Sequence, residues 1–417
     1  MEKTLSRKKT NIFFVAVVFS IIASFSTMPP NILKVLLYGL SLFITIVVFG
    51  GLPQKRYKPL VLLFFFFIVE FVWYLFGYGH LGNFNSIVLS YLSMFTCAIL
   101  ASGLYCLNSK QLKLLFVLII LILIESVVAT IVLSYLLPSG IVRFAINAER
   151  MEEIGINESI FRTGLVSYPI AHIWCAILVA CFICSFECKK KLLKLFSLIL
   201  SFSIGYALFK NTVTTSFLVG VMCCGIVLVF YLAKGNLRRF YLLSALFAII
   251  GIGSMTFISA ELVNIADATD NRQIGGKFMA ISENIEGDDS YDNQVGKRQS
   301  VYIQSLICFV KNPILGLAEK HDKPHATNPA GDHSTIPDML AYYGIFSFFL
   351  FASWWTEIKK TRSNLTGKLN NSFLICALAI FLMASLKGGF HVTYMVITFL
   401  VLKVLFMYME TLKYKRL

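Results

Sequence analysis

Residues 114–137 read LLFVLIILILIESVVATIVLSYLL, and a single charge, Glu125, interrupts them. One helix needs about 20 apolar residues to cross the hydrocarbon core of a bilayer. This run is long enough. It is too long for a strand, and it is apolar on every face, so no side is left for water. It follows NSKQLK, a short polar stretch carrying two lysines. The same alternation of apolar run and short basic gap recurs along the 417 residues. Twelve spans are expected, at 11–28, 31–51, 60–77, 86–106, 114–137, 165–186, 193–209, 216–233, 240–258, 338–356, 371–388 and 390–409. The fold class this predicts is an all-α polytopic membrane protein.

Composition agrees. The chain is 57% hydrophobic and 14% charged, where a soluble domain carries about 25% charged residues. A formal charge of +15 would suit nucleic acid, but its placement excludes that partner. The lysines and arginines sit in QKRYK, NSKQLK, ECKKK, KGNLRR, EIKKTRSNLTGK and the tail KYKRL, which alternate with mostly neutral or acidic gaps. Short loops rich in Lys and Arg stay cytoplasmic, so both termini are expected inside. MEKTLSRKKT precedes an apolar run as a signal peptide would. No small-x-small cleavage site follows it, and a second span begins after TMPPN, so a retained first helix is expected. Most of the ten cysteines lie within apolar runs, which supports neither a zinc site nor a disulfide framework.

The outward gap at 259–337 is far longer than a connection needs. It divides the chain into spans one to nine (1–258), the large extracytoplasmic loop (259–337) and spans ten to twelve (338–417). Within the loop, VYIQSLICFVKNPILG places apolar residues at 301, 303, 306, 307, 309 and 310, the spacing of an amphipathic helix expected to lie on the membrane surface. Pro313 and Gly316 punctuate its end. ENIEGDDSYDNQ is polar and acidic.

Candidate chemistry gathers at this outer mouth. Arg298 and Lys297 precede the loop helix, where a planar guanidinium suits phosphate oxygens. Arg162 opens the sixth span and Lys210 closes the seventh. An isolated arginine at such a place otherwise serves as a snorkelling anchor, but together these cations suit a pyrophosphate. His333 stands in GDHSTIPDMLAYYG (331–344), at the start of the tenth span. Ser334 and Thr335 are expected to cap that helix and Pro337 to occupy its first turn. The helix start would then favour an anion, and a histidine there can exchange a proton near neutral pH. Asp338 is expected to orient His333 or bind a sugar hydroxyl, unless it only complements the helix dipole. His321, Asp322, His325, Asp332 and His333 could be read as a metal set, but the spacing is loose and no metal is expected. Glu70 and Glu125 fall inside spans, where acids are costly and usually paired or functional. His172 and Lys387 lie near outer helix ends.

GKRQSVYIQSLICFVKNPILG, followed by a polar stretch and GDHSTIPDMLAYYGIF, resembles the signature region of the O-antigen ligase/polymerase superfamily. That region has an arginine before a loop helix ending in N-P-x-x-G, then a histidine at the start of the next span and a glycine within it. FRTGLVSYP is similar to an arginine, glycine and proline segment of the same family. The motifs cover a small part of the chain, and the span layout covers most of it. The wording around His333 looks more like the repeat-unit polymerase branch than the ligase branch. Many relatives carry an arginine before the eighth span, where this chain has Lys210. Either Lys210 substitutes for it or Arg162 takes that role.

The resemblance implies a GT-C-like, metal-independent, inverting glycosyltransferase of the bacterial inner membrane, with no cofactor. Its donor and acceptor would be oligosaccharides linked to undecaprenyl pyrophosphate. A flippase and a chain-length regulator would be its partners. His333 would be the catalytic base and Arg298 the principal pyrophosphate ligand, with Arg162, Lys210, Lys297, Asp332, Ser334 and Asp338 around the substrate. A ligase would share the chemistry and differ in acceptor. A polysaccharide exporter would instead call for a charged central cavity and internal repeats, neither of which the sequence contains. A purely structural membrane protein has no need of histidine and arginine gathered at one mouth.

Overall fold

The computed structural model describes residues 6–53, 57–76, 84–137, 163–211, 213–234, 236–268, 275–276, 278–279, 282–283, 294–317, 330, 334–387 and 391–414. No strand occurs among them. Among these residues, eleven helices are long and apolar enough to cross a membrane, so the chain is an all-α polytopic membrane protein. Local sequence sets their ends. Asn108 opens the 109–136 helix with a capping box, accepting from the Lys110 and Gln111 amides at 3.0 Å, while Gln111 returns a carbonyl to the Asn108 amide at 3.1 Å. Pro59 and Pro169 stand in the first turns of their helices, where no backbone donor is needed.

The helices are α1 (Arg7–Phe25), α2 (Asn31–Phe49), α3 (Lys58–Leu75), α4 (Phe84–Gly103), α5 (Ser109–Leu136), α6 (Tyr168–Glu187), α7 (Lys191–Lys210), α8 (Thr214–Leu232), α9 (Leu237–Gly253), α10 (Met255–Asp267), α11 (Gln294–Lys311), α12 (Thr335–Tyr343), α13 (Ser347–Ser363), α14 (Lys368–Leu386), α15 (His391–Val396) and α16 (Lys403–Tyr414). A π-helical stretch, Ile397–Leu402, joins the last two into one span. That span and α6 form the centre of the bundle, with 83% and 78% of their apolar windows buried, against 22% for α3 at the periphery. The peripheral faces carry exposed Phe43, Phe64, Phe65 and Phe202, which only a lipid solvent tolerates in such numbers.

The basic loops gather at one end. Gln111 donates to Asn11, Lys360 lies over the Tyr57 ring, Asn364 donates to Tyr105, Lys368 lies over Tyr231, and Thr366 donates to Glu410. The alternation of charge along the sequence is therefore an alternation of bundle ends.

Two spans depart from expectation. The ninth, expected at 240–258, is a 17-residue helix, α9, that breaks at Ser254 and continues as α10 to Asp267. Seventeen residues is the lower limit for a crossing. The tenth is interrupted by a turn at Gly344–Phe346, so a nine-residue half-helix, α12, precedes α13.

Candidate functional site

At the end of the bundle away from the basic loops, α11, the start of α12 and the end of α14 meet. The C-terminus of α14 leaves carbonyls without intrahelical partners. Three residues from elsewhere satisfy them. The Ser334 hydroxyl donates to the Ser385 carbonyl, the Tyr302 hydroxyl to Leu386 at 3.0 Å, and the Thr335 amide and hydroxyl to Lys387 at 2.9 and 2.7 Å. Ser334 does occupy the N-cap position of α12, yet its hydroxyl makes no cap bond there. Neither hydroxyl caps α12 as expected, because the α14 carbonyls take both.

Asp338 takes over the capping. Its Oδ2 accepts from the Ser334 amide at 2.8 Å, and its Oδ1 accepts from the Ser305 hydroxyl of α11 at 2.6 Å. All three residues are buried. The carboxylate thus fixes the backbone at the residue next to position 333 and ties it to the loop helix. The donors that would serve an anion at this helix start are mostly in use. The Ser334 and Thr335 amides are bonded and Pro337 has none, leaving at most that of Ile336.

Below this corner the backbones of α11's terminal turn and the tenth span dock directly. The Leu317 amide donates to Ala341 at 2.9 Å and the Ile345 amide to Pro313 at 2.8 Å. Gly316 (φ 72°) and Gly344 (φ 56°) face each other's segments. A Cβ on Gly344 would lie 2.5 Å from the Ile314 oxygen, and one on Gly316 2.7 Å from the Tyr343 nitrogen. Only glycine combines this left-handed conformation with such close approach. The glycines of NPILG and AYYG are therefore two halves of one contact.

A second polar group lies beside it. The Tyr343 hydroxyl donates to Glu70 Oε1 at 2.8 Å, and the Tyr91 hydroxyl donates to Glu70 Oε2. Glu70 is buried in the bundle and paired there. Glu125 packs its carboxylate against Gly164, where any Cβ would overlap it. The Val166 amide donates to Thr130 at 3.1 Å, which holds the segment after Arg162 against α5. His172 Nδ1 lies 2.8 Å from the Ser216 hydroxyl.

The structure brings some of the expected residues together and not others. Ser334 and Asp338 share the corner. Lys297 and Arg298 lie on α11. Lys210 ends α7, with its ammonium 4.6 Å from the centre of the Tyr135 ring. Arg162, Asp332 and His333 lie outside the described residues, as do His321, Asp322 and His325.

Sequence reasoning missed Tyr302, Ser305 and Ser385, whose roles depend on which carbonyls a distant helix leaves open. It also missed a buried ion pair near the basic end, Lys403 Nζ to Glu357 Oε1 at 2.6 Å, both side chains fully buried. Tyr57 and Thr361 donate to the same carboxylate, and Lys403 lies 4.7 Å from the Tyr105 ring centre. A lysine inside the last apolar run was the available signal.

No family model matches the chain, and no curated protein matches it.

Proposed function

We propose that the chain is a membrane glycosyltransferase that polymerises lipid-linked oligosaccharide repeat units, at the outer leaflet of a bacterial plasma membrane with both termini cytoplasmic. One observation carries the reading. The helix bearing Arg298 folds back on the start of the tenth span, and the Ser305–Asp338–Ser334 hydrogen bonds join it to the residue beside His333. Arg298 belongs to the helix so anchored and His333 directly precedes Ser334 in the chain, which supports a site shared by the two. The resemblance of both flanking motifs to the O-antigen ligase/polymerase superfamily supports the same assignment.

In this reading the donor is the growing glycan on undecaprenyl pyrophosphate and the acceptor is the next lipid-linked repeat. His333 accepts the proton of the acceptor hydroxyl as its oxygen attacks the anomeric carbon. The bond from that carbon to the pyrophosphate oxygen breaks, and its electron pair leaves with the lipid pyrophosphate. Arg298 neutralises the departing charge, assisted by Lys297, Arg162 and Lys210. A pyrophosphate held this way is a competent leaving group without a metal, and one displacement inverts the sugar carbon. Asp338 and Ser334 act as positioning residues, since their polar groups already hold the corner. Asp332 flanks the base.

Polymer ladders from cells expressing His333→Ala or Arg298→Ala at normal protein level test the assignment. Ladders truncated to single repeats are expected, and full-length ladders from both variants would sink it.

A further inference from the structure

We propose that residues 294–317 form a re-entrant helix and turn whose apolar face is packed against the phospholipid acyl chains of the leaflet at the far end of the bundle, rather than a helix lying flat on the membrane surface. The contacts along α11 descend step by step. Tyr302 meets the Leu386 carbonyl at the end of α14, and Ser305 meets Asp338 in the first turn of α12. Pro313 and Ile314 meet Gly344 and Ile345, beyond the end of that half-helix. The chain then reverses, and Leu317 bonds back to Ala341. The nine residues of α12 descend about 13 Å at roughly 1.5 Å each. Half of a hydrocarbon core about 30 Å thick is about 15 Å.

The distribution of side chains on α11 fits immersion. Ile303, Leu306, Ile307 and Val310 form a stripe at helical spacing, and all four are exposed, Val310 at 74%. The protein-facing side instead carries Ser305 and Cys308, both buried, and Tyr302. A helix on a water-facing surface buries its apolar stripe, and this one leaves it exposed while Ser305 and Cys308 face the protein. The stripe continues through Ile314 and Leu315 to Ile345 and Phe348, exposed residues of the tenth span next to the docked turn. It is thus continuous with the lipid-facing belt of the bundle. Irregular backbone survives at membrane depth only when its polar groups are satisfied within the protein. The turn meets that condition through the Leu317 and Ile345 amide bonds and the Gly316 amide bond to Asn312 at 3.0 Å. The exposed Lys311 at the tip has a stem long enough to snorkel.

The test uses the unmodified protein in phosphatidylethanolamine/phosphatidylglycerol vesicles carrying a diazirine either mid-chain or on the headgroup. Labelled positions are read by peptide mass spectrometry after photolysis. No turnover is involved, so the outcome is independent of the glycosyltransferase reading. Mid-chain label on 310–315, at a level comparable to the Phe348 region, is expected. Headgroup label is expected only toward the start of α11. Headgroup label spread along the whole of α11, or no mid-chain label on 310–315 while Phe348 is labelled, would overturn the proposal.

Discussion

Ser305 and Asp338, 33 residues apart in sequence, are joined by a buried 2.6 Å hydrogen bond. That bond ties the long loop to the tenth span, and the other oxygen of the same carboxylate holds the Ser334 amide. Asp338→Ala removes the acceptor from two buried donors, each worth about 1–3 kcal/mol when left unsatisfied. The variant is expected to melt at lower temperature in detergent and to make little polymer. Ser305→Ala removes only one donor and is expected to be milder in both assays. An Asp338→Ala protein with normal melting and normal ladders would show that the carboxylate does not organise the corner.

The paired glycines give a sharper contrast. Gly316→Ala or Gly344→Ala forces a Cβ into the opposing backbone, and both are expected to lower thermal stability and polymer yield. Gly39 has nothing within 4 Å of a built Cβ, and in mid-helix Gly→Ala is favourable by about 0.5–1 kcal/mol. Gly39→Ala is therefore expected to leave the melting temperature unchanged or raise it. Equal effects at positions 39 and 344 would contradict the docking role of Gly344.

The spans were readable because lipid imposes a length and the basic gaps impose an alternation of ends. Both constraints act locally, so 114–137 and its NSKQLK leader announce themselves. The break of the ninth span at Ser254 carried no such signal, since the apolar run continues through it. Capping was misread at Ser334 and Thr335 for a related reason. The local pattern offers two good caps, but the acceptors that claim them are the carbonyls of Ser385 and Lys387, about fifty residues away. The glycines of NPILG and AYYG were visible as motifs. Their mutual contact was not, because nothing in either segment names its partner.

The Glu357–Lys403 pair makes a prediction about stability alone. Removing one partner of a buried ion pair strands the other charge, at about 3–5 kcal/mol. Lys403→Met is expected to lower the melting temperature markedly. Adding Glu357→Leu to it is expected to recover much of the loss, since a well-packed apolar pair is often neutral relative to a buried ion pair. Thermal unfolding of the two single variants and the double variant checks this. A double variant as unstable as the sum of the singles would mean that the two charges are not coupled.

A histidine base must be unprotonated to work. The polymerisation rate is therefore expected to be steady while the imidazole is neutral and to fall about tenfold per pH unit once it is protonated. The rate left in His333→Gln should lack this acid limb. A wild-type rate flat from pH 8 to pH 5 would remove His333 as the base.

The most direct measurement is polymerisation by the purified protein from a defined undecaprenyl-pyrophosphate-linked repeat, with EDTA present. The wild-type protein is predicted to build ladders under these conditions. His333→Ala and Arg298→Ala, folded to the same extent, are predicted to return only the single repeat. Ladders of equal length from His333→Ala and wild type would contradict the assignment of the corner at the start of the tenth span as the catalytic site.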